Sequence, residues 1–102
     1  MLGPTNIPFD QIGAITSKAN LDITDASTQS HTITAGKKVV IVQVVSGSEC
    51  WFGGSNVNPT TYIGNIMTPR VMLIFRNAKS TFKVYFKCAA GKTAKVGINE
   101  AD

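Results

Sequence analysis

Apolar positions along this chain alternate; they do not recur at the three-to-four-residue spacing of a helix. Over residues 81–88, Phe82, Val84, Phe86 and Cys88 share one face and Lys83, Tyr85 and Lys87 the other. That period of two is the mark of a strand with one dry side. Residues 93–98 alternate again and place Ala94, Val96 and Ile98 inward. Ala89-Ala90-Gly91-Lys92 supplies a turn between them, so a C-terminal hairpin is predicted. A further apolar run at 71–76, joined to residue 81 through Asn77-Ala78-Lys79-Ser80, extends this hairpin to a three-strand meander. Upstream, residues 30–34, the turn Ala35-Gly36-Lys37 and residues 38–46 read as another hairpin, with shorter strands at 21–24 and 49–52.

These runs are rich in β-branched and aromatic residues and are broken every few positions by Gly, Pro, Asn or Ser, which disfavours helix. The expectation is an all-β domain, an antiparallel β-sandwich or jelly-roll-like barrel of about eight short strands. Residues 1–12 hold Gly3, Pro4 and Pro8 with little periodicity and read as an extended N-terminal arm. Residues 13–102 form the single domain.

Two strands break the rule of one dry and one wet face. In residues 38–46, Val40, Val42 and Val44 lie on one side and Val39, Ile41, Gln43 and Val45 on the other. In residues 71–75, Val71, Leu73 and Phe75 oppose Met72 and Ile74. A second apolar face needs cover, either from this chain (the loop around 53–66 or the arm) or from a neighbouring subunit or lattice.

Composition sharpens this picture. Of 102 residues 43% are hydrophobic and only 16% charged, against a typical charged share of about a quarter. Such a chain folds, and it presents few solvating groups. No stretch approaches the apolar length of a membrane helix, and the start MLGPTNIPF lacks the basic and apolar regions of a secretion signal. The net charge of +4 is uneven. Arg70, Arg76, Lys79, Lys83, Lys87, Lys92 and Lys95 outweigh Glu100 and Asp102 in the last third, whereas the first 69 residues are slightly acidic. Cys50 and Cys88 suit either a small apolar role or one disulfide.

Candidate chemistry is sparse. Ala90-Gly91-Lys92-Thr93 resembles the end of a phosphate-binding loop, but the required earlier glycine falls at Phe86 in a strand, and no helix follows. His31, the single histidine, has no nucleophile motif around it, and the six carboxylates are scattered. Two cysteines and one histidine cannot make a four-ligand zinc site. No catalytic, cofactor or metal site is expected. Lys83 and Lys87 flank Tyr85, and Lys95 is expected on the paired strand of the same hairpin, which makes a basic patch; ordinary solvation accounts for it first, an acidic protein surface is the sharper role, and nucleic acid the rarer one. Trp51 precedes Gly53-Gly54 and reads as a core or interface anchor, with a sugar-stacking platform as the rarer role. The candidate interface is thus Val39, Ile41, Val45, Met72 and Ile74, then Trp51, Tyr85, Lys83, Lys87 and Lys95, with Ile7 and Phe9 from the arm.

The stretch Trp51-Phe52-Gly53-Gly54-Ser55-Asn56-Val57-Asn58-Pro59, followed by Val84-Tyr85-Phe86-Lys87-Cys88-Ala89-Ala90-Gly91-Lys92-Thr93-Ala94-Lys95-Val96-Gly97-Ile98-Asn99-Glu100, is similar to a pattern in small tailed-bacteriophage virion proteins. The resemblance covers roughly residues 38–100. It implies a non-enzymatic β-sandwich of the virion, assembled in the reducing host cytoplasm, which fits unpaired cysteines. The expected role is a capsid decoration or cement protein that binds the major capsid protein as a homo-oligomer or lattice-bound unit, with no membrane partner. An adhesive or receptor-binding fibre domain, in which Trp51 and Tyr62 should line an exposed groove, or a head-tail or tail-associated domain is the alternative, and a single-stranded nucleic-acid-binding barrel the second alternative.

Overall fold

A computed structural model describes residues 15–101. The arm at 1–12, with Ile7 and Phe9, lies outside the described residues. Eight strands follow one another: β1 (Ile15–Ile23), β2 (Gln29–Ile33), β3 (Val39–Gly47), β4 (Cys50–Gly53), β5 (Asn65–Met67), β6 (Met72–Arg76), β7 (Phe82–Lys87) and β8 (Ala94–Ala101). They form two four-stranded antiparallel sheets in the orders β1-β8-β3-β6 and β2-β7-β4-β5. The pairs β1–β8, β2–β7, β3–β6 and β4–β5 show the chain doubled back on itself as one long hairpin and then folded into two layers. That order is an eight-stranded jelly roll, so the all-β sandwich expected from the alternation is the fold observed.

The core lies between the sheets. From the first sheet Val40, Val42 and Val44 of β3 and Val96 and Ile98 of β8 point inward, and from the second Ile33, Cys50, Met67, Val84, Phe86 and Cys88 meet them. Phe86, on β7, is fully buried. The inward positions Val84, Phe86, Cys88, Ala94, Val96 and Ile98 are those the alternation marks. Phe82 is the exception: it is 39% exposed at the end of β7, with its ring edge-on to Phe75 at 5.6 Å.

Strand pairing departs from the sequence expectation in three places. β7 and β8 do not form a hairpin; β7 pairs with β2 and β4, while β8 pairs with β1 and β3. The meander fails with it, since β6 pairs with β3. β2 and β3 also lie in different sheets. The physical reason is common to all three: each turn reverses the chain, but it then crosses to the opposite sheet, where both strands find a facing layer for their apolar sides. At one end the loops 34–38 and 77–81 brace each other, with Gly36 N–H donating to Ala78 O at 3.2 Å and Ala35 N–H to Thr81 Oγ1 at 3.1 Å. β5, three residues long, begins within the expected 53–66 loop and ends just beyond it.

Candidate functional site

A sandwich has two outer faces, and here they differ in chemistry. On the first sheet, register puts Val39, Ile41, Gln43 and Val45 of β3 beside Arg76, Ile74 and Met72 of β6. Ile41, Met72 and Ile74 are half-buried and Val45 is 54% exposed. Val39 shares this outward register yet is only 2% exposed, as is its cross-strand neighbour Ala101, so Val39 offers no docking surface and leaves the interface set. Beside the strip, Gly97 of β8 sits between Val45 and Asn20, where an added Cβ would lie 3.0 Å from Val45 Cγ1. The missing side chain, together with bulges in β1 and β3, leaves an open notch of about 370 Å³ lined by Ser17, Asn20, Val45 and Asn99 among others.

The loop expected to cover this strip belongs to the other sheet. Val57 packs within 3.9 Å of the Cβ position of Gly53, and Gly64 (φ +114°) closes against Phe52 O and Val57. Asn58 and Ile63 exchange backbone hydrogen bonds at 2.9 and 3.0 Å, and Asn58 Oδ1 accepts Thr60 N–H at 3.0 Å. This ordered tongue returns the chain from β4 to β5 and carries Tyr62 to Trp51, with ring centroids 6.2 Å apart at 48°.

The second outer face is therefore aromatic and cationic. Trp51 stands across from Lys87 on one side and Ile66 on the other, and Tyr85 is flanked along β7 by Lys83 and Lys87. Lys95 is absent from this group. It lies on β8 in the opposite sheet, 3.7 Å from Asp22, because β7 and β8 separate into different layers. The basic patch thus contains Lys83, Tyr85 and Lys87 but not Lys95. Tyr62 stands beside Trp51, as the adhesive alternative expects, whereas Ile66 is outside the sequence-derived interface; the burst of apolar residues at 62–67 is its available signal.

Elsewhere the structure occupies groups that chemistry would need free. In the 89–92 turn Lys92 N–H donates to Ala89 O at 3.0 Å, and Gly91 N–H donates to Asp25 Oδ2 at 2.8 Å. A carboxylate already holds the amide that a phosphate would take. His31 faces inward across from Val84. Among the described residues no three His, Cys, Asp or Glu side chains gather as metal ligands. Cys50 and Cys88 are free thiols in the core. Burial, reinforced by Cys88, pushes the Cys50 thiol from its ordinary 9.0 up to about 12, and burial followed by Asp25 and Glu49 raises Cys88.

Two consequences follow for the thiols. Both should resist a neutral-pH disulfide reagent in the native protein and react in urea, because the reactive form is the thiolate; equal rates in both conditions would contradict the burial. An unfolded Cys50 ionises near 9.0 whereas the folded one holds its proton to about 12. The thiol thus contributes stability that is fully present below pH 9 and is lost as pH climbs towards 12. Melts across that window should fall less steeply for Cys50→Ala than for the parent chain.

Comparison with known protein families, curated proteins and solved structures found no match. Function must then be argued from the two faces themselves, since a jelly roll hosts many activities.

Proposed function

We propose that this domain is a non-enzymatic virion structural protein of a tailed phage, a decoration or cement protein that docks on the assembled capsid by the outer face of β1-β8-β3-β6. The observation that carries the reading is the strip Ile41, Val45, Met72 and Ile74, apolar on a face where an antiparallel sandwich is ordinarily wet. Next to it, the Gly97 notch offers a socket for a protruding side chain of the shell.

The mechanism is burial. Four strands at ~4.8 Å spacing and ~7 residues each at ~3.3 Å give a face of roughly 400 Å² in outline. Stable interfaces bury about 800 Å² per partner. One copy on one capsid subunit would therefore hold weakly, and contacts to two neighbouring subunits, or copies joined as a homo-oligomer, would hold by effective concentration. Because the docked chain binds the assembled shell and not free subunits, it stabilises the shell by mass action. A second reading, an adhesive domain of a fibre or tail, draws on Trp51 and Tyr62 of the opposite face.

The test is cosedimentation with capsids of the encoding phage that lack this protein. The parent chain should pellet with them, and binding should persist at high salt since the contact is apolar. Ile41→Lys with Ile74→Lys should abolish pelleting while leaving the circular-dichroism spectrum intact. A parent chain that stays in the supernatant, or a double variant that pellets as well as the parent, would overturn the proposal.

A further inference from the structure

The face turned away from that docking strip has a chemistry of its own. Its four strands contain no Asp or Glu: β2 reads QSHTI, β4 CWFG, β5 NIM and β7 FKVYFK. Asp25 and Glu49, in the segments that precede Gln29 of β2 and Cys50 of β4, are engaged elsewhere, with Gly91 N–H at 2.8 Å and with Lys92 Nζ at 3.8 Å. Among the described residues Lys83 and Lys87 meet no opposing charge on this face, so it is complementary to an anion.

Aromatic rings accompany the cations, and one of them is held at a cost. Tyr62 is 80% exposed and takes φ +60°, a left-handed backbone that an aromatic L-residue rarely adopts. Such strain persists only where the surroundings impose it, and it gathers at ligand sites. The surroundings here are the Asn58–Ile63 bridge and the Asn58 side-chain turn, which fix the tongue and hold the Tyr62 ring tilted over Trp51. A ring presented this way loses little freedom when a ligand stacks on it.

We infer that the outer face of β2-β7-β4-β5 binds an acidic polysaccharide, with sugar rings stacking on Tyr62 and Trp51 and the polymer's anionic groups meeting Lys87 and Lys83. Serine and threonine hydroxyls from β2, Ser30 beside Tyr85 and Thr32 beside Lys83, line the same path. A single-stranded nucleic acid would satisfy the same charges and rings. The choice of polysaccharide rests on the proposed docking through the opposite sheet, which turns this face outward, away from packaged nucleic acid and towards the polymers coating a host cell.

Trp51 is the sole tryptophan, so its fluorescence reports directly on the site. Titration of the full chain with polygalacturonate should change that emission saturably, with an affinity that falls as salt is added. Neutral dextran of equal length should bind at least about tenfold more weakly, and Tyr62→Ala should weaken polygalacturonate binding by about tenfold. Lys83→Gln with Lys87→Gln should flatten the salt dependence. No saturable change with either polygalacturonate or heparin would overturn the inference, as would tighter binding of an oligothymidylate, or binding that Tyr62→Ala leaves untouched. The two proposals separate cleanly: Tyr62→Ala should still pellet with capsids, and the Ile41→Lys, Ile74→Lys variant should still bind polygalacturonate.

Discussion

Phe86→Ala is expected to remove about 3–5 kcal/mol of folding free energy, the largest loss from any single core truncation in this chain. The ring is fully buried between the sheets, and its volume is shared with Val42, Val96, Met67 and the other inward side chains of the core cluster. Those neighbours sit on hydrogen-bonded strands of two different sheets, so they cannot close inward to refill the space. A domain of this size has only about 5–15 kcal/mol to lose, and each kcal/mol corresponds to about 4–8 °C in Tm. Phe82→Ala gives the contrast on the same strand. Phe82 is 39% exposed, with its ring edge-on to Phe75, so about 1–2 kcal/mol is expected. Paired denaturant melts would reveal the ordering, and equal losses for the two variants would refute the assignment of Phe86 to the centre.

Gly47→Ala ranks second, for a backbone reason. Gly47 ends β3 at φ +91°, and a Cβ there would lie 2.5 Å from Thr93 O and 2.9 Å from Ala94 Cα. Neither atom can swing aside, because both belong to the backbone where β8 begins its pairing with β1 and β3. Left-handed strain and overpacking together predict a loss of at least about 2 kcal/mol. Gly36 and Gly91 isolate the first contribution, since both have positive φ and nothing within 4 Å of the added methyl. Their alanine variants should each lose about 1 kcal/mol. Calorimetry that placed all three variants at one melting temperature would show that the Gly47 contact relaxes.

The contrast between what could be read from residues and what could not has a physical origin. Alternation in β7 and β8 marks inward positions because period two is a local property, and Val84, Phe86, Val96 and Ile98 are buried as expected. Pairing partners are not local. The 34–38, 77–81 and 88–93 segments carry the turn residues of hairpins, yet each spans the gap between sheets. Which outcome occurs depends on where the remaining apolar faces find cover, and that is settled only by the whole chain. The doubly apolar character of β3 and β6 was visible residue by residue, including the outward Ile41, Met72 and Ile74. Val39 was misjudged because register alone does not report exposure. On the opposite face, Trp51 and Lys87 were both noted in the sequence but not their adjacency, which comes from β4–β7 pairing. Lys95 drifted into that group through the supposed hairpin. Tyr62 joins it only because the tongue closes through Asn58 and Ile63, a bridge between single residues that no periodicity announces.

β8 is an interior strand, hydrogen-bonded to β1 on one side and β3 on the other, yet it follows the other seven described strands in the chain. Until residues 94–101 are made, β1 has no partner in the first sheet and β3 can pair only with β6, which leaves bare edges where β8 belongs. Open edges of that kind invite pairing with another chain. Every nascent copy must wait for residues 94–101 before the sheet can close, and closure then joins positions as distant in sequence as Ile15 and Ala101, a slow kind of folding. Translation pauses before residue 94 would lengthen that exposed interval, and chains that end there should accumulate as aggregates.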